Sequence, residues 1–237
     1  MSTDTFIAPP CHQQIRILYE DAHLILIDKP SGLLSLSGKN PLNKDSVHHR
    51  LVQAFPTATM VHRLDFGTSG VMLLALKKDV NGHLTKQFQE RTIVKKYVAI
   101  LFGHLDDDQG TINAPLTKAQ FPYQKVCVTT GKEAVSHYRV LERLQDCVTG
   151  VKTTRVLFTP HTGRTHQLRV HSLEIGHPII GCDLYGLDIK GLGDTHSLAS
   201  RLALHANSLE FNHPVTEQRM LVESPQLLTK STLQLAQ

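Results

Sequence analysis

A chain of 237 residues with 41% hydrophobic and 19% charged residues has the balance of a folded protein with a sizeable core, which excludes a generally disordered chain. Its net charge of +4 is mildly basic, compatible with a nucleic-acid partner without requiring one. The cysteines Cys11, Cys127, Cys147 and Cys182 form no CxxC pair, the N-terminus lacks the basic start of a signal peptide, and no apolar stretch approaches about 18 residues, so free thiols and a cytoplasmic location are expected.

In chain order, residues 1–14 read as a flexible tail. "IRILYEDAHLILIDKPSG" reads as two strands around a polar turn at residues 20–22, ended by Pro30, Ser31 and Gly32. "DSVHHRLVQAF" (45–55) predicts a helix capped by Asp45, and "DVNGHLTKQFQER" (79–91) a second, with Leu84 and Phe88 facing inward. Strands are expected at 93–103, 133–144, 151–160 and 208–214, where β-branched and aromatic residues recur. "THQLRVHSLEIG" (165–176) predicts a helix with Thr165 as N-cap and Gly176 past its end, and 187–194 a loop. No repeat or linker interrupts the chain. The expectation is an α+β fold, a mixed and mostly antiparallel central sheet with flanking helices, in one domain over 15–237.

"HRLDFGTSG" (62–70) runs directly into "VMLLALKK". Arg63 and Asp65 are two residues apart, so along a strand they point the same way. The run Val71 to Leu76 is apolar on both faces, as in a central strand, and a carboxylate at the rim of such a core needs a partner or a task. Arg169 falls in the first turn of the 165–176 helix, where a cation opposes the helix dipole, and a carboxylate opposite it would explain its place. Asp65 is expected to be that carboxylate. Held by arginines it stays ionised, fit for nucleophilic attack and not for general acid catalysis; an ordinary structural ion pair is an equal reading. Tyr97, in the alternating strand "KKYVAI", carries a ring that stacks and a hydroxyl that relays protons, though plain packing accounts for most strand tyrosines.

Other chemistries find less support. His166 and His171 are five residues apart and no HExxH occurs, so no metal is expected among the 15 histidines. The glycines form neither GxGxxG nor GxxxxGK[ST], so no nucleotide cofactor is indicated, and no GxSxG elbow appears. Lysines and arginines cluster at 77–78, 91–96, 118–132 and 155–169; such residues along a groove would bind phosphates.

The stretches "ILYEDAHLILIDKPSGLLS", "HRLDFGTSGVMLLALKK", "KKYVAILFG", "HTGRTHQLRVHSLEIGHPIIG" and "LALHANSLEFNHP", in this order, resemble the RluA family of pseudouridine synthases over residues 15–215. The resemblance implies a pseudouridine synthase catalytic fold and isomerisation of uridine to pseudouridine in RNA, with neither cofactor nor metal. It implies that Asp65 is the nucleophile, that Tyr97 stacks on the target base, and that Arg169 pairs with the Asp. Arg63, His62, Thr68, Arg164 and Leu168 are implied at the substrate. "QKVCVTTGKEAVSHYRV" resembles a branch acting on both a 23S rRNA hairpin and a tRNA anticodon stem-loop. One departure is Cys182, where many relatives carry Asp; it is expected to lie outside the chemistry. A separate N-terminal RNA-binding domain is not expected, no protein partner is indicated, and a monomer is expected. Two rivals remain: a base-releasing N-glycosidase and a non-catalytic RNA-binding assembly factor.

Overall fold

The computed structural model describes residues 6–147, 149–189 and 193–225. The strands in chain order are β1 (Arg16–Glu20), β2 (Leu24–Lys29), β3 (Thr59–Met60), β4 (Ser69–Ala75), β5 (Val94–Phe102), β6 (Gln109–Asn113), β7 (Leu116–Lys118), β8 (Gln124–Val126), β9 (Val135–Gln145), β10 (Lys152–Pro160), β11 (Asp188–Ile189), β12 (Gly193–Asp194), β13 (Leu204–Asn212) and β14 (Arg219–Glu223). The helices are α1 (Val47–Leu51), α2 (Lys78–Gln89) and α3 (Gln167–Glu174). Strands dominate and helices are few, as the α+β expectation has it. The chain divides into two compact units, one formed by Met1–Lys95 with Ala206–Gln226, the other containing Lys96–His205.

In the first unit, β1, β2, β4 and β13 are successive neighbours, with β3 added to β4 and β14 to β13. The β1–β2 hairpin matches its expected span and pairs Ile17 with Ile27. All of β4 is buried, as its two-faced apolar run requires, and it pairs antiparallel with β2 from Leu24↔Ala75 to Lys29↔Gly70. Leu24, Leu26, Val71 and Leu73 make a core with Val80 and Leu84 of α2 and Phe211 of β13. Gly70 has φ +113, and a Cβ there would meet the Ala206 carbonyl oxygen at 2.3 Å. Only glycine permits this approach of β4 to β13.

One expectation in this unit is corrected. Ser46, not Asp45, caps α1: its hydroxyl accepts the His49 N–H. Asp45 is engaged by Arg50, whose Nε and Nη2 donate to it at 2.7 and 2.6 Å. Residues 6–15 hold no helix or strand, but they are bonded: Arg50 also donates to the Cys11 and Gln13 carbonyls, and the Phe6 ring meets Phe66 edge-on at 5.5 Å.

In the second unit, β5, β10, β9 and β6 lie side by side and antiparallel. Ala99, Leu101, Val156 and Phe158 form its core with Leu168 and Val170 of α3. α3 ends as expected, with Gly176 at φ +76 after its last turn. Its start differs: His166, not Thr165, is the N-cap, in left-handed conformation at φ 55. The segment expected as a loop at 187–194 contains the β11–β12 pair, and β6, β7, β8 and β14 are strands that residue pattern did not announce. No helix among the described residues is long and apolar enough to cross a membrane.

Candidate active site

The turn carrying Asp65 is closed by the Thr68 N–H on the Asp65 carbonyl, at 3.1 Å. Side chains from β2 and the loop after it hold this turn by its main chain. Lys29 is fully buried and donates to the carbonyls of Pro30 and Phe66 at 2.9 and 3.2 Å. Burying an ammonium is costly unless its N–H groups are used, and these carbonyls use them. Ser31 Oγ donates to the Gly67 carbonyl at 2.7 Å. Ser35 Oγ donates to the Leu64 carbonyl at 2.7 Å and accepts the Leu64 N–H at 3.2 Å. The grip falls on the backbone from Leu64 to Gly67, while the side chains of Asp65 and Arg63 are half-buried and exposed.

His62 serves this framework. Its Nε2 accepts the Leu73 N–H at 3.0 Å, and its ring lies 4.9 Å from that of Phe88. Burial, with the nearby charge of Lys95, pushes the imidazole down to about 4, so it is neutral at physiological pH. Burial and the neighbouring Arg91 push Lys95 itself down to about 8.

In the second unit, Tyr97 stands on β5 opposite Phe158 of β10, half-buried against the core. The start of α3 is fixed by a buried polar network. Gln167 Oε1 accepts the Thr162 hydroxyl at 2.7 Å and the Arg164 N–H at 2.9 Å. Its Nε2 donates to the Val135 carbonyl at 3.0 Å and to Ser136 Oγ at 2.9 Å. The Ser136 hydroxyl donates in turn to His171 Nδ1, and His171 Nε2 donates to the Ala114 carbonyl, both at 3.0 Å. Burial lowers the His171 pKa, consistent with this neutral tautomer.

That network places Arg169, which is 4% exposed. Its Nε donates to Cys182 Sγ at 3.2 Å, and its Nη2 pairs with Asp183. The guanidinium lies over the Tyr185 ring, 5.3 Å from the centroid, a cation–π arrangement suited to a flat, delocalised ion. The Tyr185 hydroxyl accepts the Gln124 N–H at 2.8 Å and bonds His166 Nδ1 at 2.9 Å. Carboxylate, sulfur and ring together offset the cost of a buried cation near a helix N-terminus.

The expected site residues thus divide. Asp65, Arg63 and His62 belong to one unit, Tyr97, Arg164, Leu168 and Arg169 to the other. Inside its own unit the carboxylate that meets Arg169 is Asp183. Cys182, expected outside the chemistry, touches the guanidinium directly. Leu168 is 6% exposed and packs in the core, Thr68 is 2% exposed, and Arg164 Nε is bound to the Glu133 carbonyl at 2.9 Å. Lys29, Gln167 and Tyr185 were not singled out. For Lys29 a signal existed, a lysine ending the apolar run "LILIDK". Among the described residues no three His, Cys, Asp or Glu gather as metal ligands.

A family model described as RNA pseudouridylate synthase matches residues 23–174. The dual-specificity RNA pseudouridine synthase RluA of Yersinia pestis is 47% identical over 200 residues, covering 84% of this chain and 92% of that protein. Its Escherichia coli K12 counterpart is 42% identical over 219 residues, covering 92% and 95%. Among solved structures, human RNA pseudouridylate synthase domain containing 1 aligns with a TM-score of 0.76 at 28% identity, over 94% of this chain and 88% of that one.

Proposed function

Because the chain belongs to the RNA pseudouridylate synthase family, we propose that it isomerises uridine to pseudouridine in two RNA classes, a tRNA anticodon stem-loop and a 23S rRNA hairpin. The reaction breaks the N1–C1′ bond, turns the uracil, and joins C5 to C1′; no group is added and no electron is transferred. The target base is stacked in a folded loop and must first be flipped out. Asp65 is assigned as the carboxylate that assists cleavage, by attack on the sugar or by taking its 2′ proton. Tyr97 is assigned to stack on the uracil while it turns, Arg169 to supply positive charge, and exposed Arg63 to meet phosphate.

The observation that supports this reading is the Asp65 turn. Its main chain is clamped by Lys29, Ser31 and Ser35, while its carboxylate is left half-exposed, as an acting group requires. The dual-specificity relatives support two substrate classes. The test is incubation of the pure protein with isolated stem-loops of each class, with product located by carbodiimide mapping. Pseudouridine in both is expected. Modification of one class alone rejects dual specificity. Release of free uracil identifies an N-glycosidase, and binding without turnover a non-catalytic module. Tyr97→Phe, which keeps the ring and loses the hydroxyl, should retain RNA affinity while turnover falls roughly 100-fold. Full turnover would remove the hydroxyl from proton transfer.

A further inference from the structure

The chain from Phe6 to Gln13 crosses the first unit without helix or strand, and most of it is exposed. A terminal segment of that kind buries too little to offset its ordering and ordinarily frays. Here it is fastened along its length. Asn43, 3% exposed, spends both ends of its side-chain amide on the segment: Nδ2 donates to the Phe6 carbonyl at 2.7 Å, and Oδ1 accepts the Ala8 N–H at 2.8 Å. Cys11 Sγ donates to the Ser31 carbonyl at 3.8 Å. Arg50, itself held by Asp45, donates to the Cys11 and Gln13 carbonyls. Pro9 and Pro10 stiffen the stretch between these points, which lowers the entropy lost on laying it down.

The fastenings converge on the Asp65 turn. Ser31, which receives the Cys11 thiol, is the residue whose hydroxyl holds the Gly67 carbonyl. At the other end of the segment the Phe6 ring meets the Phe66 ring edge-on at 5.5 Å. Phe66 follows Asp65 directly, and its carbonyl accepts from Lys29 Nζ at 3.2 Å and from the Gly32 N–H at 3.0 Å. Lys29 and Gly32 thus hold Phe66 by its main chain, and Phe6 meets it by its side chain. Phe6 is 46% exposed, so this contact adds little to the core; its effect falls on how residues 65 and 66 are set. Placement is what a carboxylate acting on a sugar depends on, since a displacement of about 1 Å costs roughly 100-fold in rate.

We propose that residues 6–13 are a strap that holds the Asp65 turn for catalysis, with Phe6 a positioning residue that acts on Asp65 through Phe66. The proposal rests on reading Asp65 as the acting carboxylate and names the segment that keeps it in place.

Hydrogen exchange at two amides reads the strap without reference to activity: Gly32, bonded to the Phe66 carbonyl, and Thr68, bonded to the Asp65 carbonyl. In Phe6→Ala both should exchange roughly tenfold faster, with the melting temperature unchanged. On an isolated stem-loop its kcat should fall roughly tenfold while KM holds, because the strap sets the carboxylate and does not touch RNA. Phe6→Tyr, which keeps the ring, should restore both exchange and kcat. Val215→Ser, which removes an exposed apolar residue of the same unit, should match wild type. Wild-type exchange in Phe6→Ala overturns the strap, whatever the turnover. Faster exchange with unchanged kcat overturns its catalytic task, and a raised KM at constant kcat makes the segment an RNA contact instead. If wild type forms no pseudouridine, the reading of Asp65 falls while the exchange series still decides whether the strap holds the turn.

Discussion

The turn that carries Asp65 and the helix that carries Arg169 are both short polar segments set beside buried strands, and they are held by different means. Around Asp65 the bonds from Lys29, Ser31 and Ser35 end on main-chain carbonyls, and Ser35 also takes the Leu64 N–H. At α3 side chains also hold one another: Gln167 is bonded to Ser136 and Ser136 to His171, with further bonds to the main chain, and Arg169 is caught between Cys182, Asp183 and the Tyr185 ring. A main-chain grip fixes where a side chain starts and leaves its charge to the reaction. A side-chain grip fixes the charge itself, and each member left without its partner is costly in a buried setting. Damage in the first region should therefore appear as lost rate, and damage in the second as lost stability.

The largest effect tests the first half of that contrast. Asp65→Asn keeps every main-chain bond of the turn, so melting should stay within about 0.5 kcal/mol of wild type. Pseudouridine formation should fall by roughly 1000-fold or more. Activity within tenfold of wild type would remove Asp65 from the nucleophile role.

In the second region, Gln167→Leu deprives the Thr162 hydroxyl, the Arg164 N–H and Ser136 Oγ of a partner at once. Denaturant unfolding should show a loss of about 2–3 kcal/mol. An unchanged midpoint would mean that the network does not hold α3. A smaller loss, about 1 kcal/mol, is expected for Ser35→Ala, which orphans the N–H and carbonyl of Leu64. Here turnover on a stem-loop should fall further than that destabilisation alone accounts for, since the bond lies one residue before Asp65. Equal losses in rate and stability would erase the distinction between the regions.

Acid should act on both regions alike. The folded His62 imidazole sits at about 4 against an ordinary 6.5, so below 6.5 the unfolded chain binds more protons than the folded one. The stability that His62 contributes is whole above about pH 6.5 and is lost as pH falls toward 4. His171, shifted in the same direction, adds the same sense of dependence from the second unit. Melting temperatures of His62→Gln between pH 4 and 7 should decline less steeply than those of wild type; an identical slope would show that His62 does not set this limb.

Residue pattern makes some of this architecture plain and leaves other parts silent. β2, β4, β5 and β10 stand out because burial within a sheet demands apolar and β-branched residues. β7 and β8 are three residues each and polar in character, formed by pairing with each other, so local propensity hardly marks them. Both helix starts shift by one residue for reasons outside local preference: Arg50 claims Asp45, and His166 adopts a left-handed backbone. Asp65, Tyr97 and Arg169 are legible through the motifs that contain them. Tyr185 is not, because its meaning lies in Gln124 and Arg169, distant in sequence and joined only by folding.

The discontinuity of the first unit bears on how the protein is made. A ribosome delivers the chain from its N-terminus, so β13 and β14, which complete the sheet beside β4, emerge only after residues 96–205. Residues 96–205 of the second unit are contiguous and complete before that. The first unit thus waits for the second to be made, and the Gly70 contact with Ala206 closes only after residues 96–205 have emerged. A nascent chain halted before Ala206 would keep the strands of the second unit and leave β4, apolar on both faces, without β13 beside it: an open strand edge of the kind that chaperones shield and aggregation exploits.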